Sequence, residues 1–142
     1  MKKNKQVIFD KGNGDCMRAS LTSILDLPND PKKIPLSGAA DWWKTAPKFL
    51  RKFGLVLRYD EKAFWKQGYW MASVKSLNFE GGSHAIVMRG TRVAHDPSTK
   101  KRYKTGEDML QGGAVQGGYV LEVAHPLKLH KLAFFRNKIL SL

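Results

Sequence analysis

One cysteine, four histidines and an aspartate beside one of them are the residues whose types and spacing could do covalent chemistry. Cys16 is the only thiol in 142 residues. It follows the polar segment Gly12-Asn13-Gly14-Asp15 and opens an apolar run from Met17 to Leu27, which predicts a helix starting at the cysteine, with Asp15 as its cap. At a helix N-terminus the unpaired backbone N–H groups and the positive dipole end favour thiolate over thiol. A thiol nucleophile needs that, together with a base, a group to orient the base, and a donor for the developing oxyanion.

His84, His95, His125 and His130 are the available bases. His84 stands near the start of a strand-like run ending at Met88, where a rigid scaffold can aim the imidazole at a helix terminus. Arg89-Gly90-Thr91-Arg92 reads as a tight turn, and Val93-Ala94-His95-Asp96-Pro97 returns alongside. Asp96 can then accept from the His84 ring and fix its tautomer. A two-residue turn at Gly90-Thr91 would pair position 84 with 97 and point His84 and Asp96 to opposite faces. A three-residue loop, or one bulge, puts position 84 opposite 96 on one face, and this odd register is expected, with Gly90 at positive φ. For the oxyanion, the Cys16 N–H is one donor, and Gln6 and Asn13 both qualify as a second.

Each residue also has a plainer reading. A lone cysteine is commonly a small buried hydrophobe. His84 could be a core histidine bound to a carbonyl, and Asp96, ahead of Pro97 and Ser98, could simply start a turn. Alternation sends His95 to the other face, and His125 and His130 read as surface residues.

The elements that must position these groups are read as follows. Residues 5–9 form a short strand or an extended arm. The Cys16 helix presents Ala19, Leu21, Ile24 and Leu25 to the core and stops at Leu27-Pro28-Asn29-Asp30-Pro31. A second helical region spans residues 39–53, with Trp42, Trp43, Phe49 and Phe53 as core, Pro47 splitting it or opening a second piece, and Gly54 ending it. Strands follow at residues 55–59, 69–74, 84–88, 92–95 and 119–123, while Gly112-Gly113 and Gly117-Gly118 read as loops. Helices first and strands afterwards imply an α+β class, with the cysteine helix packed on a small antiparallel sheet.

Composition fits a single domain over residues 1–142, with a basic arm at 1–5 and a basic, apolar segment at 127–142. Hydrophobic residues make up 42% of the chain, a globular and not a disordered composition. No apolar stretch reaches the length of a membrane span, and no signal-type core follows the basic start, so a cytoplasmic location is expected. One cysteine excludes an internal disulfide, and no spacing of metal ligands or phosphate-loop pattern is present, so neither metal nor cofactor is expected. The net charge of +13 favours acidic partners (nucleic acid, an acidic protein surface or anionic lipid), and Lys100, Lys101 and Arg102 either rim the cleft and select acidic substrates or form a solvated loop.

Gly14-Asp15-Cys16, with Arg18-Ala19-Ser20-Leu21 and Leu25-Asp26-Leu27-Pro28, resembles the cysteine-helix segment of papain-like hydrolases. The nearest likeness is to small phage and prophage proteins distantly similar to double-glycine leader peptidases. Gly68-Tyr69-Trp70-Met71-Ala72-Ser73, Ser83-His84-Ala85-Ile86-Val87-Met88 and Val93-Ala94-His95-Asp96-Pro97-Ser98 follow in that group's order and spacing, and Trp42-Trp43 and Gly54-Leu55 also fit. The resemblance runs from Gln6 to Tyr119. It implies a papain-like fold with Cys16 as nucleophile, His84 as base and Asp96 as orienter, and it favours Gln6 as the oxyanion side chain.

The expectation is a papain-like thiol hydrolase (peptidase, isopeptidase or amidase/deamidase) acting on an acidic or protein substrate, with Cys16, His84, Asp96 and Gln6 catalytic and Asn13, Lys100, Lys101 and Arg102 binding substrate. The alternative is a non-enzymatic basic module that contacts nucleic acid or an acidic host protein, including as an inhibitor of a host defence enzyme.

Overall fold

A computed structural model describes residues 1–9, 14–34, 36, 41–61, 68–104 and 115–124. Two helices, α1 (Cys16–Leu25) and α2 (Trp42–Arg51), precede five strands: β1 (Leu55–Asp60), β2 (Tyr69–Lys75), β3 (Ser83–Arg89), β4 (Arg92–His95) and β5 (Val115–Val123). Every neighbouring pair is antiparallel, in the order β1-β5-β2-β3-β4. The α+β class therefore holds. The last strand enters the sheet between the first two, so β1 and β4 are its edges.

The sheet separates two apolar clusters. Leu57, Met71, Val87 and Leu121 project on one face to meet Leu21, Ile24 and Leu25 of α1 and Trp42, Phe49 and Leu50 of α2. Trp70, Ala72, Val74, Ile86 and Met88 make the second cluster with Val93 and Val120. Full burial of each large apolar side chain contributes about 1.5–3 kcal/mol, so these two layers dominate the drive to fold. Among the described residues no helix is long and apolar enough to cross a membrane.

Helix α1 is buried more completely than its apolar spacing suggests: every residue from Arg18 to Leu25 is buried. Its small polar side chains tolerate this because each hydroxyl finds a carbonyl. Thr22 donates to Arg18 O at 2.7 Å, Ser23 to Ala19 O at 2.6 Å, and Ser20 crosses to Ala85 O at 3.1 Å. Asp15 precedes the helix but makes no side-chain capping bond. Its carboxylate is engaged elsewhere, with the N-terminal arm and Arg18.

Three other expectations are corrected. Pro47 does not split α2, which runs unbroken from Trp42 to Arg51; proline here forfeits only the backbone bond to Trp43 O, close to the helix start. Trp43 is not core: it is 51% exposed, because the buried stripe runs through Trp42, Ala46, Phe49 and Leu50. Gly117 and Gly118 lie inside β5, not in a loop. A Cβ at Gly117 would sit 2.3 Å from Tyr59 Oη, so the missing side chain lets that ring lie against the strand. Gly112-Gly113 and the segment 127–142 lie outside the described residues.

Candidate active site

Three segments converge on Cys16. The first is α1 itself, held to β3 by Ser20, one turn beyond the cysteine, whose hydroxyl bonds the carbonyl of the residue after His84. The second is the hairpin β3–β4. The third is the extended arm before the helix, which is not a strand: Gln6 N–H donates to Pro97 O at 2.9 Å, and Asp15 N–H donates to Ile8 O at 3.2 Å.

The hairpin has the parity that the site requires. Arg89 pairs with Arg92 and Met88 with Val93 across a two-residue turn, with Gly90 at φ 57°. A bulge then intervenes, and Val87 pairs with His95. Position 84 is three residues from 87 and position 96 one residue from 95, so both lie on the face opposite to the Val87 and His95 side chains. The expected direct opposition does not occur. Continuing the observed register sets position 96 level with Ile86, and His84 reaches Asp96 along the diagonal. His95, on the other face, hydrogen-bonds the Asn4 carbonyl and pins the arm.

His84 Nε2 lies 2.6 Å from Asp96 Oδ1, with both side chains nearly buried. The Cys16 side chain also acts on the ring, favouring its protonated form, and the two groups share one cavity wall. With Nε2 on the carboxylate, Nδ1 is the nitrogen left for sulfur. Asp96 is itself immobilised, Oδ1 accepting from Ser98 N–H at 2.9 Å and Oδ2 from Tyr103 N–H at 2.8 Å. Asp96 thus both starts a turn and hydrogen-bonds the histidine.

Burial pushes the His84 ring towards neutrality, but the hydrogen bonds to Asp96 and Cys16, and the charge on both, outweigh it and raise its pKa from 6.5 to about 9. Burial alone would raise the Asp96 carboxyl. The hydrogen bond and charge of His84, with the two backbone N–H groups, hold it instead below its ordinary value.

Cys16 and His84 line a cavity of about 240 Å³ with Gln6. Phe9, Met17, Phe79 and Tyr119 give it apolar walls, while Ser73, Ser83 and Asn78 add hydroxyl and amide groups. The Phe9 and Phe79 rings stand 5.2 Å apart. Tyr119 packs 4.8 Å from Tyr59 and 5.7 Å from Trp43, which continue this wall onto the surface. Gln6 is buried, with Nε2 donating to Ile8 O at 3.2 Å and Oε1 unpartnered. One amide hydrogen remains unassigned. Asn13, His125 and His130 lie outside the described residues.

The basic triplet does not line this cavity. Lys100 and Arg102 instead line a second, wider groove that Asp96 borders, and Lys101 is exposed with its backbone bonded to Asn78. Lys100 Nζ lies 4.5 Å over the Phe9 ring and so links the groove to the cavity. Among the described residues no group of three or more His, Cys, Asp or Glu is placed to hold a metal ion.

Sequence reading missed a buried polar hub that sets the arm against α1. Asp15 accepts from Ile8 N–H at 2.9 Å, from Asn29 Nδ2 at 3.0 Å and from Arg18 at 2.8 Å; Arg18 Nε in turn donates to Asn29 Oδ1 at 2.8 Å. Asn4 ties the arm further along, donating to Thr22 Oγ1 and Leu27 O. The i,i+3 spacing of Asp15 and Arg18 was the available signal. Comparison with known proteins finds no matching family model, no similar curated protein and no similar solved structure.

Proposed function

We propose that this chain is a papain-like thiol hydrolase that cleaves an amide or peptide bond in a reducing compartment such as the cytoplasm. One observation carries the reading: the His84 ring is hydrogen-bonded to Asp96 and lines one cavity with Cys16. A structural histidine needs one partner. This ring, beyond its fixed carboxylate, shares a cavity wall with the sole thiol of the chain, at a helix start.

In the proposed cycle the Cys16 sulfur attacks the carbonyl carbon and a C–S bond forms. The carbonyl oxygen becomes an oxyanion, for which the Cys16 N–H and the remaining Gln6 amide hydrogen are the donors. Protonated His84 gives its proton to the leaving nitrogen as the C–N bond breaks. Water then attacks the thioester while His84 takes its proton, releasing the carboxylic acid and the thiol. Asp96 keeps Nδ1 aimed at sulfur throughout.

The test is alkylation of Cys16 by iodoacetamide and by a peptidyl vinyl sulfone. Wild type should react at pH 6 about tenfold or more faster than His84→Ala, since an unassisted thiol is almost wholly protonated there. Cys16→Ala should not be labelled. Equal rates with and without His84 would refute the reading.

A further inference from the structure

The second groove brings together cations from two separate parts of the chain: Lys3 and Lys5 on the arm, and Lys100, Arg102 and Lys104 after β4. All five are exposed, and none is ion-paired to an acid among the described residues. The acid that borders the groove, Asp96, has its oxygens committed to His84, Ser98 and Tyr103. Among the described residues the groove therefore carries an excess of positive charge, five cations against the one buried carboxylate of Asp96. His95, on its wall, feels this: burial comes first in lowering its pKa, and Lys3 and Arg102 push it the same way, against the Asn4 carbonyl and Asp96.

The arm is not there by accident of a loose terminus. Asn4 donates its backbone N–H to Ser23 Oγ at 3.0 Å and accepts from His95, so Lys3 and Lys5 flank an anchored residue. Gln6 follows on the cavity wall. The same arm thus serves both hollows, and Lys100, over the Phe9 ring, bridges them from the other side.

We infer that the groove holds an acidic segment of the polypeptide whose acyl group reaches Cys16. The inference rests on the thiol-hydrolase reading and adds the substrate class. Five convergent cations call for carboxylates or phosphates. The neighbouring cavity is apolar and hydroxyl-lined and ends at a nucleophile for acyl carbon. A polypeptide supplies the acyl carbon and the carboxylates on one chain, whereas a nucleic acid supplies only the anions.

Two measurements on the full chain test this. In the first, Cys16→Ala protein is titrated against fluorescein-labelled peptides, one Glu/Asp-rich and one neutral, and against a single-stranded oligonucleotide. The acidic peptide should bind, lose affinity steeply with salt, and bind about tenfold or more weaker to a Lys3→Glu, Arg102→Glu variant. In the second, wild type is labelled with vinyl sulfones carrying tetraglutamate, tetraglycine or tetralysine extensions. The acidic probe should react about tenfold or more faster than the neutral one at low salt, with the advantage collapsing at high salt.

Preference for the oligonucleotide over the acidic peptide, binding unaffected by charge reversal, or equal rates for the three probes would overturn the inference. Failure of every electrophile to label Cys16 would instead refute the thiol reading, and the binding titration, made without the sulfur, would still decide whether the groove takes acidic peptide.

Discussion

Asp15 and Arg18 form an ion pair at 2.8 Å with both side chains almost wholly buried, at the first turn of the helix that carries Cys16. The pair is a hub and not an isolated bridge. Asp15 also holds the Ile8 N–H, and Arg18 reaches Leu36 O at 3.3 Å. Through these bonds the arm that places Gln6 and Phe9 on the cavity is locked to the helix that carries Cys16.

Removing the cation should therefore cost more than a surface ion pair would. Breaking a buried pair usually destabilises by about 3–5 kcal/mol. Arg18→Met should fall near the lower end, about 3 kcal/mol, because backbone N–H groups still satisfy Asp15. The urea midpoint at neutral pH measures this; a change under about 0.5 kcal/mol, as at an ordinary surface site, would show that the pair does not hold the arm.

The His84–Asp96 pair predicts the pH dependence of stability. His84 binds its proton more tightly folded, at about 9 against 6.5, so its contribution is complete below pH 6.5 and is lost as pH rises through 9. Asp96 has the opposite sign: its contribution is complete above its ordinary value of 3.8 and is lost as pH falls through the depressed one. Wild type minus His84→Gln in denaturation midpoint should thus shrink between pH 7 and 10. A constant difference over that range would mean that the proton is not held by the fold.

Much of this site was legible in the sequence, for local reasons. A cysteine after a polar glycine segment and before an apolar run fixes a helix start, and Gly90 between two strand-like runs fixes a turn. The face shared by His84 and Asp96 followed from parity, because only an odd shift lets them meet. The bulge that supplies the shift was one of two options, and its diagonal geometry depends on β4 pairing that no local signal specifies. The capping role expected of Asp15 failed for a long-range reason: N–H groups on the arm and a guanidinium competed for its carboxylate. Trp43 was misplaced because adjacent tryptophans look alike in composition, while a helix of 3.6 residues per turn can bury only one of them against the sheet.

Asp96→Asn should separate orientation from charge. The amide keeps the size of the carboxylate but loses the charge that helps hold the His84 proton, and burial then drives the ring towards neutrality. The pH at which Cys16 loses its alkylation advantage over the His84→Ala protein should move to the acid side. Identical profiles for Asp96→Asn and wild type would show that Asp96 serves only the turn through Ser98 and Tyr103.

Gly117→Ala tests the aromatic wall that Tyr59 and Tyr119 form. Gly117 is not among the glycines at positive φ, so alanine is tolerated by the backbone and the effect must be steric. The new Cβ would meet Tyr59 Oη at 2.3 Å and Cζ at 2.7 Å. Tyr59 is 38% exposed, and to swing clear its ring must give up a tilted contact with Tyr119 at 4.8 Å and an edge contact with Trp43 at 6.5 Å. Overpacking of this kind costs about 1–3 kcal/mol. Removing the obstructing ring should relieve it, so Gly117→Ala should be nearly neutral in a Tyr59→Ala background, leaving a coupling energy of about 1 kcal/mol or more in the double-mutant cycle. Additive effects would mean that Tyr59 does not lie on β5, and the continuation of the Tyr119 wall towards Trp43 would be lost with it.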